Sequence, residues 1–188
     1  MKIILTGKEY EEVIKTTVDS LFTEENRPIL KRINLKVCGN TLEAVSIDGV
    51  RLSKTTIKRL HHINDDAEIT IEPIKPVKNV DIVEIEKGDK VTTITQTTTA
   101  GTQSQSTFVT MDGYMNYNQI IKPDTELENH IAISLDANLL AGLLKSFKDK
   151  SNNNRVTFLV PKEPLQPLYL KINNEVADVL KLILPLRY

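Results

Sequence analysis

Two stretches of the chain place apolar residues at the three- and four-residue spacing of an amphipathic helix. The first stripe, in residues 8–23, consists of Tyr10, Val13, Ile14, Thr17, Val18, Leu21 and Phe22, and the second, in residues 136–148, consists of Leu139, Leu140, Leu143, Leu144 and Phe147. This spacing gathers the apolar side chains on one helical face. Each stretch therefore predicts a helix packed on a core, and Asp136 is suited to cap the second one.

After each helix the hydrophobic period changes to two, which is typical of strands. Residues 33–37 and 42–46 alternate around the turn Gly39-Asn40, and residues 156–160, 168–172 and 179–183 alternate in the same way. A short apolar segment, residues 3–5 or 131–133, precedes each helix. The pattern predicts two related βαβββ units and an α+β fold in which two main helices pack on antiparallel sheets.

The middle of the chain, residues 67–117, has strand-like patterns and little that favours a helix. Its predicted strand-core residues are Ile69, Ile71, Ile82, Ile85, Val91, Ile94, Phe108 and Val109. The sequence K-G-D-K at residues 87–90 predicts a hairpin turn. Pro73 and Pro76 exclude a regular helix where a third one would be expected. The Thr-, Gln- and Ser-rich residues 92–107 are interpreted as a long, solvated hairpin.

Composition restricts the class of protein. The 188 residues are 40% hydrophobic and 26% charged, enough to bury the core of one or two domains. No apolar run approaches the roughly 20 residues that cross a bilayer, and the apolar start is interrupted too soon for a signal peptide, so a cytoplasmic protein without a membrane partner is expected. The net charge of -1 argues against a broadly basic nucleic-acid-binding surface, although it allows a local basic face. The single cysteine, Cys38, ends an apolar run and is predicted to be a small buried hydrophobe.

Enzymatic chemistry has little support in the sequence. His61, His62 and His130 are too few and too scattered to define a metal site. The chain has no phosphate-binding glycine loop, nucleophile elbow or paired-carboxylate motif. We therefore expect neither an enzyme nor a bound cofactor, and we interpret the histidines as loop or strand residues.

The chain ends in an apolar strand, L-I-L-P-L-R-Y at residues 182–188. Chain termini are usually polar, because little is gained by ordering them. An apolar end must pack on the protein or form part of a pocket that receives a ligand.

Three motifs, taken in order along the chain, resemble the bacterial DNA polymerase III beta subunit, the sliding clamp family. R-P-I-L at residues 27–30 and a strand pair lead into I-D-G-V-R-L at residues 47–52, where the family has T-D-G-x-R-L. M-D-G-Y-M-N-Y at residues 111–117, with I-K-P at 121–123, is similar to the family's V-D-G-x-F-P-D-Y and L-P. The apolar tail, with L-Q-P-L at residues 165–168 before it, resembles the family's L-S-P-L and terminal V-x-M-P-x-R-L.

The resemblance implies βαβββ half-units, of which a full clamp subunit has two in each of three domains. Three half-units are expected here, residues 1–60, 61–124 and 125–188, the second without a clear helix. The first two resemble the clamp's middle domain, and the third resembles the second half of its last domain. The third half-unit either packs on residues 1–60 as one domain or pairs with the same segment of another chain, and the sequence leaves both open.

In the family, the D-G-x-R-L turn and the C-terminal strand form an apolar pocket for short linear peptides of polymerases, the clamp loader and repair proteins. The matched residues are Leu30, Ile47, Gly49, Val50, Arg51 and Leu52 on one wall, Pro123 at the junction, and Leu182, Ile183, Leu184, Pro185, Leu186 and Arg187 on the other wall. An apolar cleft would take the hydrophobic anchors of the peptide, and the arginines would hold polar groups at its rim. The alternative interpretation is that these are core and turn residues, with Arg51 or Arg187 in a structural ion pair.

The resemblance also implies a homo-oligomer that encloses duplex DNA without sequence specificity, through contacts of Lys and Arg with phosphates. The candidate cations are Arg27, Lys31, Lys145, Lys148 and Lys150. Lysines at a helix end also complement the helix dipole, so a purely structural role stays open. The function expected is a sliding-clamp-like processivity factor that tethers polymerase or other replication proteins. The alternative is a ringless peptide-binding adaptor or decoy that does not bind DNA.

Overall fold

The computed structural model of the protein describes residues 1–58, 67–119, 135–145, 156–160, 162, 166–173 and 178–183. The chain divides into two compact units, residues 1–116 and 117–188. The half-unit boundaries expected near residues 60 and 124 lie outside the described residues, so that division stays a prediction.

The first unit contains the predicted βαβββ order followed by four further strands. Its elements are β1 (Lys2–Thr6), α1 (Gly7–Thr17), β2 (Ile33–Cys38), β3 (Thr41–Ile47), β4 (Leu52–Lys58), β5 (Ala67–Ile71), β6 (Val80–Lys87), β7 (Val91–Thr98) and β8 (Gln103–Val109), with 3₁₀ helices at Val18–Ser20 and Pro28–Lys31. The hairpin turn predicted at residues 87–90 joins β6 to β7. These elements confirm the α+β class.

The two halves of this unit exchange their first strands. One antiparallel sheet has the order β4-β3-β2-β5, and the other has the order β1-β6-β7-β8. Strand β1 therefore pairs with β6, with Ile3 opposite Ile85, whereas β5 pairs with β2, with Ile69 opposite Leu35. Because each half contributes one strand to the other's sheet, the two halves fold as a single unit around one core.

Helix α1 begins at a capping box and ends earlier than its apolar stripe predicts. Thr6 Oγ1 accepts the Glu9 amide at 3.3 Å, and Glu9 Oε2 accepts the Thr6 amide at 2.7 Å, which satisfies two of the free donors of a helix start. At the other end, buried Ser46 of β3 donates its hydroxyl to Thr17 O at 2.6 Å. Val18 is 44% exposed, so its predicted place in the buried stripe is wrong.

The core of the first unit combines one face of each sheet with the buried face of α1. Its fully buried members include Ile3, Leu5, Tyr10, Val13, Ile33, Leu35, Val37, Leu42, Ile69, Ile71, Val83, Ile85 and Ile94. Three predicted strand-core residues, Ile82, Val91 and Val109, are instead exposed. They lie on strands of the β1-β6-β7-β8 sheet but outside this core.

Two sequence-based predictions of burial are wrong at single positions. Cys38 is exposed, because β2 points Val37 into the core and ends at Cys38 beside the hairpin turn. The Thr-rich hairpin is not fully solvated, because Thr92 and Gln96 are buried on β7 on either side of Ile94. Side chains of a strand alternate between its two faces, so polar residues at these positions face inward together with Ile94.

Residues 72–79 take the place in the second half that α1 takes in the first, and they form no helix, as Pro73 and Pro76 predict. Their backbone is instead held by side chains. Tyr10 of α1 donates its hydroxyl to Ile74 O at 2.7 Å, and burial raises the pKa of Tyr10. Buried Gln96 accepts the Val77 amide at 2.8 Å and donates to Lys75 O at 3.1 Å.

The second unit contains the second predicted helix and a small sheet. Its described elements are a 3₁₀ helix at Tyr117–Gln119, α2 (Ala137–Lys145), β9 (Thr157–Leu159), β10 (Leu168–Asn173) and β11 (Asp178–Ile183), with the antiparallel sheet order β11-β10-β9. Asp136 caps α2 as predicted, since its Oδ1 accepts the amides of Asn138 and Leu139 at 2.8 and 2.9 Å. Leu140 and Leu144 pack on this unit's buried cluster, but Leu139 is 61% exposed. Within the described residues, no helix is long and apolar enough to span a membrane.

Candidate peptide-binding surface

The turn between β3 and β4 is built around one carboxylate. Residues 48–51 connect the pair Ile47 and Leu52, which are directly opposite each other in the ladder. Asp48 Oδ1 accepts the amides of Val50 and Arg51 at 2.9 and 2.6 Å, and the Asp48 amide donates to Arg51 O at 3.2 Å. An aspartate at the first position of a turn commonly makes such bonds. The D-G-x-R sequence therefore fixes the shape of this turn.

Gly49 is required by the backbone conformation of this turn. Its φ angle is +90°, a region that other residues enter at a cost. No described atom outside its chain neighbours lies within 4 Å of the position that a Cβ would occupy. The glycine is thus explained by its φ angle within this unit, and the space beside it is open.

Arg51 is held by the same aspartate. Asp48 Oδ2 accepts Arg51 Nε at 2.8 Å and lies 2.7 Å from a terminal guanidinium nitrogen. The backbone bonds from Arg51 and Val50, together with the guanidinium, lower the pKa of Asp48 to about 2. The Arg51 side chain nevertheless stays 61% exposed. Arg51 is therefore in a structural ion pair and also presents its guanidinium to solvent.

The apolar residues matched to the first wall divide into buried and exposed positions. Ile47 is 4% exposed and Leu30 is 6% exposed, Leu52 is half-buried, and Val50 at the tip of the turn is 93% exposed. Leu30 sits in the 3₁₀ helix Pro28–Lys31, where its carbonyl accepts the Phe22 amide at 3.1 Å. Within the first unit, Val50 and Arg51 are the members of this wall that offer side chains to solvent.

The residues matched to the second wall belong to the second unit. Ile183 is 4% exposed and pairs with Leu168, and Leu182 pairs with Tyr169. The remaining members of this wall and of the junction lie outside the described residues: Pro123, Leu184, Pro185, Leu186 and Arg187. The peptide pocket therefore stays a prediction.

The candidate DNA-contacting cations are spread over both units. Arg27 is exposed at the start of the 3₁₀ helix Pro28–Lys31, and Lys31 at its end is half-buried. Lys145 is exposed in the last turn of α2. Lys148 and Lys150 lie outside the described residues. These positions leave the DNA-contacting role untested.

Asp48 shapes this surface but is not among the site residues that the sequence predicted. The signal was present in the sequence, because an aspartate two and three residues before the amides it accepts is the usual arrangement of an Asx turn. In the part of the chain that the structure describes, His, Cys, Asp and Glu form no group of three that could hold a metal ion. The three histidines lie outside that part.

The fold is that of bacterial sliding clamps. The DNA polymerase sliding clamp of Bacillus subtilis superposes with a TM-score of 0.75 at 19% identity, over 98% of this chain and 49% of that chain. The beta subunit of Streptococcus pyogenes gives 0.75 at 14% identity, over 100% and 50%. A Pseudomonas aeruginosa clamp solved with bound griselimycin gives 0.72 at 16% identity, over 98% and 50%. This chain thus spans about half the length of these clamps.

Sequence comparison leads to the same family. A search of curated protein sequences finds no match. A family model described as the DNA polymerase III beta subunit, central domain, matches residues 4–123. These residues include the Asp48 turn and the M-D-G-Y motif, so the match confirms the resemblance stated from those motifs. Since the model covers well over half of the chain, the protein belongs to the DNA polymerase III beta subunit family, with residues 4–123 matching its central domain.

Proposed function

We propose that this protein is a sliding-clamp-like processivity factor, not an enzyme, that tethers DNA polymerase and clamp-loader-type proteins through short linear peptides. The observation that carries the proposal is the Asp48 turn inside a family-matched fold. This turn holds the Arg51 guanidinium and the apolar Val50 side chain at an exposed position beside buried Ile47. An aliphatic and a cationic side chain on a rigid turn suit a hydrophobic peptide with polar flanks.

The proposed pocket combines this turn with Pro123 and the C-terminal residues Leu182, Ile183, Leu184, Pro185, Leu186 and Arg187. The direct test is fluorescence polarisation with a labelled peptide of the kind that polymerases present to clamps. We expect Val50→Ser, and separately removal of residues 184–188, to weaken binding about tenfold or more, since hot-spot truncations typically cost over 1 kcal/mol.

A matched control comes from the other sheet. Val91 is an exposed valine on β7, 47% accessible, and Val91→Ser is expected to leave peptide binding unchanged. Equal binding by the wild type, Val50→Ser and the protein that lacks residues 184–188 would contradict the proposed pocket.

Duplex DNA is the second proposed partner, with contacts to phosphates from Arg27, Lys31, Lys145, Lys148 and Lys150 in a homo-oligomer. Binding of this kind weakens linearly in log affinity with log salt. Replacing Lys145, Lys148 and Lys150 together by Gln is expected to reduce the slope by about two to three, because each phosphate contact contributes nearly one. An unchanged slope would show that these lysines do not contact DNA.

A second candidate function is a ringless adaptor that binds clamp-type peptides without DNA. The observation that favours it is the loop at residues 72–79, which stands where a βαβββ half-unit would have its helix. In addition, the outward residues of α1 include Glu11 and Glu12 beside Lys8 and Lys15, so α1 offers no cationic face. A monomeric native mass with no salt-dependent DNA association, together with peptide binding, would establish the adaptor. A closed oligomer that retains duplex DNA would establish the clamp.

A further inference from the structure

Strand β8 is the last strand of the β1-β6-β7-β8 sheet, and no strand lies beside its outer edge in the described part of the chain. At one end of the β7–β8 ladder, Thr98 N donates to Thr102 O at 2.9 Å. At the other end, Thr110 N donates to Lys90 O, also at 2.9 Å. Backbone groups of successive residues in an antiparallel strand point to alternate sides. The even-numbered residues of β8 therefore bond to β7, and the odd-numbered residues direct their N–H and C=O groups away from β7.

One of these outward groups already has a partner within the unit. The Val109 carbonyl accepts a terminal guanidinium nitrogen of Arg32 at 2.5 Å, which agrees with the direction of the odd-numbered residues and closes the edge at that end. The outward N–H and C=O groups of Gln103, Gln105 and Thr107 have no partner among the described residues, and the three side chains are exposed. Residues 103–107 thus present a row of donors and acceptors that an added strand could bind.

The other three edge strands of the first unit are protected in ways that are usual for edge strands. Native proteins place charged side chains on such strands or cover them, which discourages the addition of another strand. Strand β4 carries Lys54 and Lys58, and strand β1 carries Lys2. On β5, the Glu68 carbonyl accepts Lys87 Nζ at 3.3 Å.

Strand β8 has neither protection. Residues 91–109, which include β7 and β8, contain no charged residue and no proline. A charged strand would find no opposite charge on β8, whereas a second copy of β8 has the same uncharged, hydrogen-bonding side chains. The same pairing of β4 with itself, centred on Thr56, would place Lys54 opposite Lys58 of the other copy, and like charges directly opposite each other are destabilising. The charge pattern therefore favours β8 of a second copy as the partner of β8.

We propose that β8 pairs antiparallel with β8 of a second copy of this chain, about a two-fold axis at Gln105. Gln105 then lies opposite Gln105 of the other copy, and Gln103 of each copy lies opposite Thr107 of the other. Each of these three residue pairs exchanges two backbone bonds, about six in all (3 × 2 = 6). The two opposed Gln105 side chains also hydrogen-bond to each other, since each carries a donor and an acceptor. The two four-stranded sheets become one sheet of eight strands.

The contact goes beyond the proposed function, which names a homo-oligomer but no interface between its copies. A two-fold contact uses the same surface on both copies and joins only two of them, so a closed ring would need a second interface. Peptide and DNA binding are measured separately, so each of them and the β8 contact can fail independently.

The test is sedimentation equilibrium of the full chain from micromolar to millimolar concentration, combined with amide hydrogen exchange followed by NMR. A single strand pair is a small interface, so we expect a weak dimer that forms as concentration rises. The outward amides of Gln103, Gln105 and Thr107 are expected to exchange several-fold more slowly in the dimer. The amides of Ser104 and Ser106 are expected to keep one rate, because they bond to β7 in both states.

Charge exchange at position 105 tests the two-fold register. Gln105→Lys and Gln105→Glu, each alone, place like charges opposite each other and are expected to weaken self-association about fivefold. An equimolar mixture of the two variants is expected to restore it, because opposite charges then face each other. Gln105→Pro removes an amide that does not bond to β7 and is expected to abolish the dimer while β8 stays paired with β7.

Thr56→Lys, at an exposed position of the β4 edge, is the matched control and is expected to leave self-association unchanged. A monomer at every concentration overturns the proposal, as does a dimer in which the Gln105 amide exchanges at the monomer rate. Weakening by Thr56→Lys together with Gln105→Lys would show that β8 pairs with β4 of the other copy and would also overturn it. So would a mixture of the Lys and Glu variants that associates no better than either variant alone.

Discussion

The carboxylate of Asp48 binds both the backbone and the side chain of Arg51. One oxygen accepts the Arg51 amide at 2.6 Å, and the other accepts Arg51 Nε at 2.8 Å. The same residue thus fixes the turn and the direction of the exposed guanidinium. Because the carboxylate holds the guanidinium through its charge, this contact weakens when Asp48 is protonated.

The first prediction concerns this pH dependence. The pKa of Asp48 is lowered to about 2 in the folded protein, whereas an aspartate in an unfolded chain titrates near 3.9. Because the folded value is the lower one, the stabilisation by Asp48 is complete above about pH 4 and is lost as the pH falls towards 2. The Arg51 Hε resonance should therefore shift with a midpoint near pH 2.

Asp48→Asn provides the control for this titration. An asparagine oxygen can still accept the backbone amides of Val50 and Arg51, but it has no charge for the guanidinium. The variant is expected to keep the turn and to lose the acid-dependent shift of Arg51. A wild-type midpoint near pH 4 would contradict the ion pair.

Local patterns predicted much of the fold. The apolar stripe located α1, and the capping box Thr6–Glu9 marks the point where it begins. The stripe did not locate the end of α1, because the chain forms a 3₁₀ turn at Val18–Ser20. The carbonyl of Thr17, the last residue of α1, accepts the hydroxyl of Ser46 in strand β3. That contact joins residues far apart in the sequence, so no local pattern reports it.

The exchange of first strands between the two halves could not be predicted from the sequence pattern either. The hydrophobic period of Ile3 and Leu5 predicts a strand with one buried face, but it does not say that β1 pairs with β6 rather than with β2. Burial of Gln96 was missed for a related reason. A glutamine is normally exposed, and this one is buried because it binds the backbone of residues 75 and 77.

For the candidate site, the sequence located the turn of the first wall, and the second wall stays a prediction. The D-G-x-R-L sequence located the β3–β4 turn, and the spacing of Asp48 from Arg51 is enough to predict their backbone bond. Val50 is exposed because it lies at the tip of the turn, and Ile47 is buried at the end of strand β3. The partner residues of the second wall are distant in sequence and were matched through the family resemblance.

A second prediction concerns Gly7, at the junction of β1 and α1. A Cβ at this position would lie 2.0 Å from Val80 O, so the helix start and the start of β6 approach each other too closely for any side chain. The colliding atom is backbone, which cannot rotate away. Gly7→Ala is expected to lower the free energy of unfolding of the first unit by about 3 kcal/mol, measured by urea denaturation.

Gly142 in α2 is the matched control for Gly7. No described atom outside its own helix turn and chain neighbours lies within 4 Å of a Cβ there. Alanine is a better helix former than glycine, so Gly142→Ala is expected to stabilise the second unit by up to about 1 kcal/mol. Similar effects of the two substitutions would contradict the close contact of Gly7 with Val80.

A third prediction tests how residues 72–79 are held without a helix. Gln96→Leu would leave the Val77 amide and the Lys75 carbonyl without their partner. Each unpaired group costs about 1–3 kcal/mol, so we expect a loss of about 3 kcal/mol and faster hydrogen exchange at the Val77 amide. Gln105→Leu, at an exposed position of the neighbouring strand β8, should change stability by less than about 0.5 kcal/mol. Unchanged exchange at Val77 in Gln96→Leu would contradict this role.

The last prediction concerns Arg32, which lies just before β2 and contacts both Glu72, at the start of residues 72–79, and the end of β8. Its side chain is 5% exposed, donates to Val109 O at 2.5 Å, lies 3.3 Å from Glu72, and stacks 5.1 Å from the centre of the Phe108 ring. Burial lowers the pKa of Arg32, and Glu72 opposes this shift.

Lysine at position 32 would keep the charge, but its ammonium group cannot contact both oxygens while lying flat on the Phe108 ring. Arg32→Lys is therefore expected to destabilise the first unit by about 2 kcal/mol, measured by urea denaturation followed through its NMR signals. Arg27→Lys, at an exposed position nearby in the sequence, should have an effect below about 0.5 kcal/mol, and equal effects of the two variants would show that the charge of Arg32 matters and its planar geometry does not.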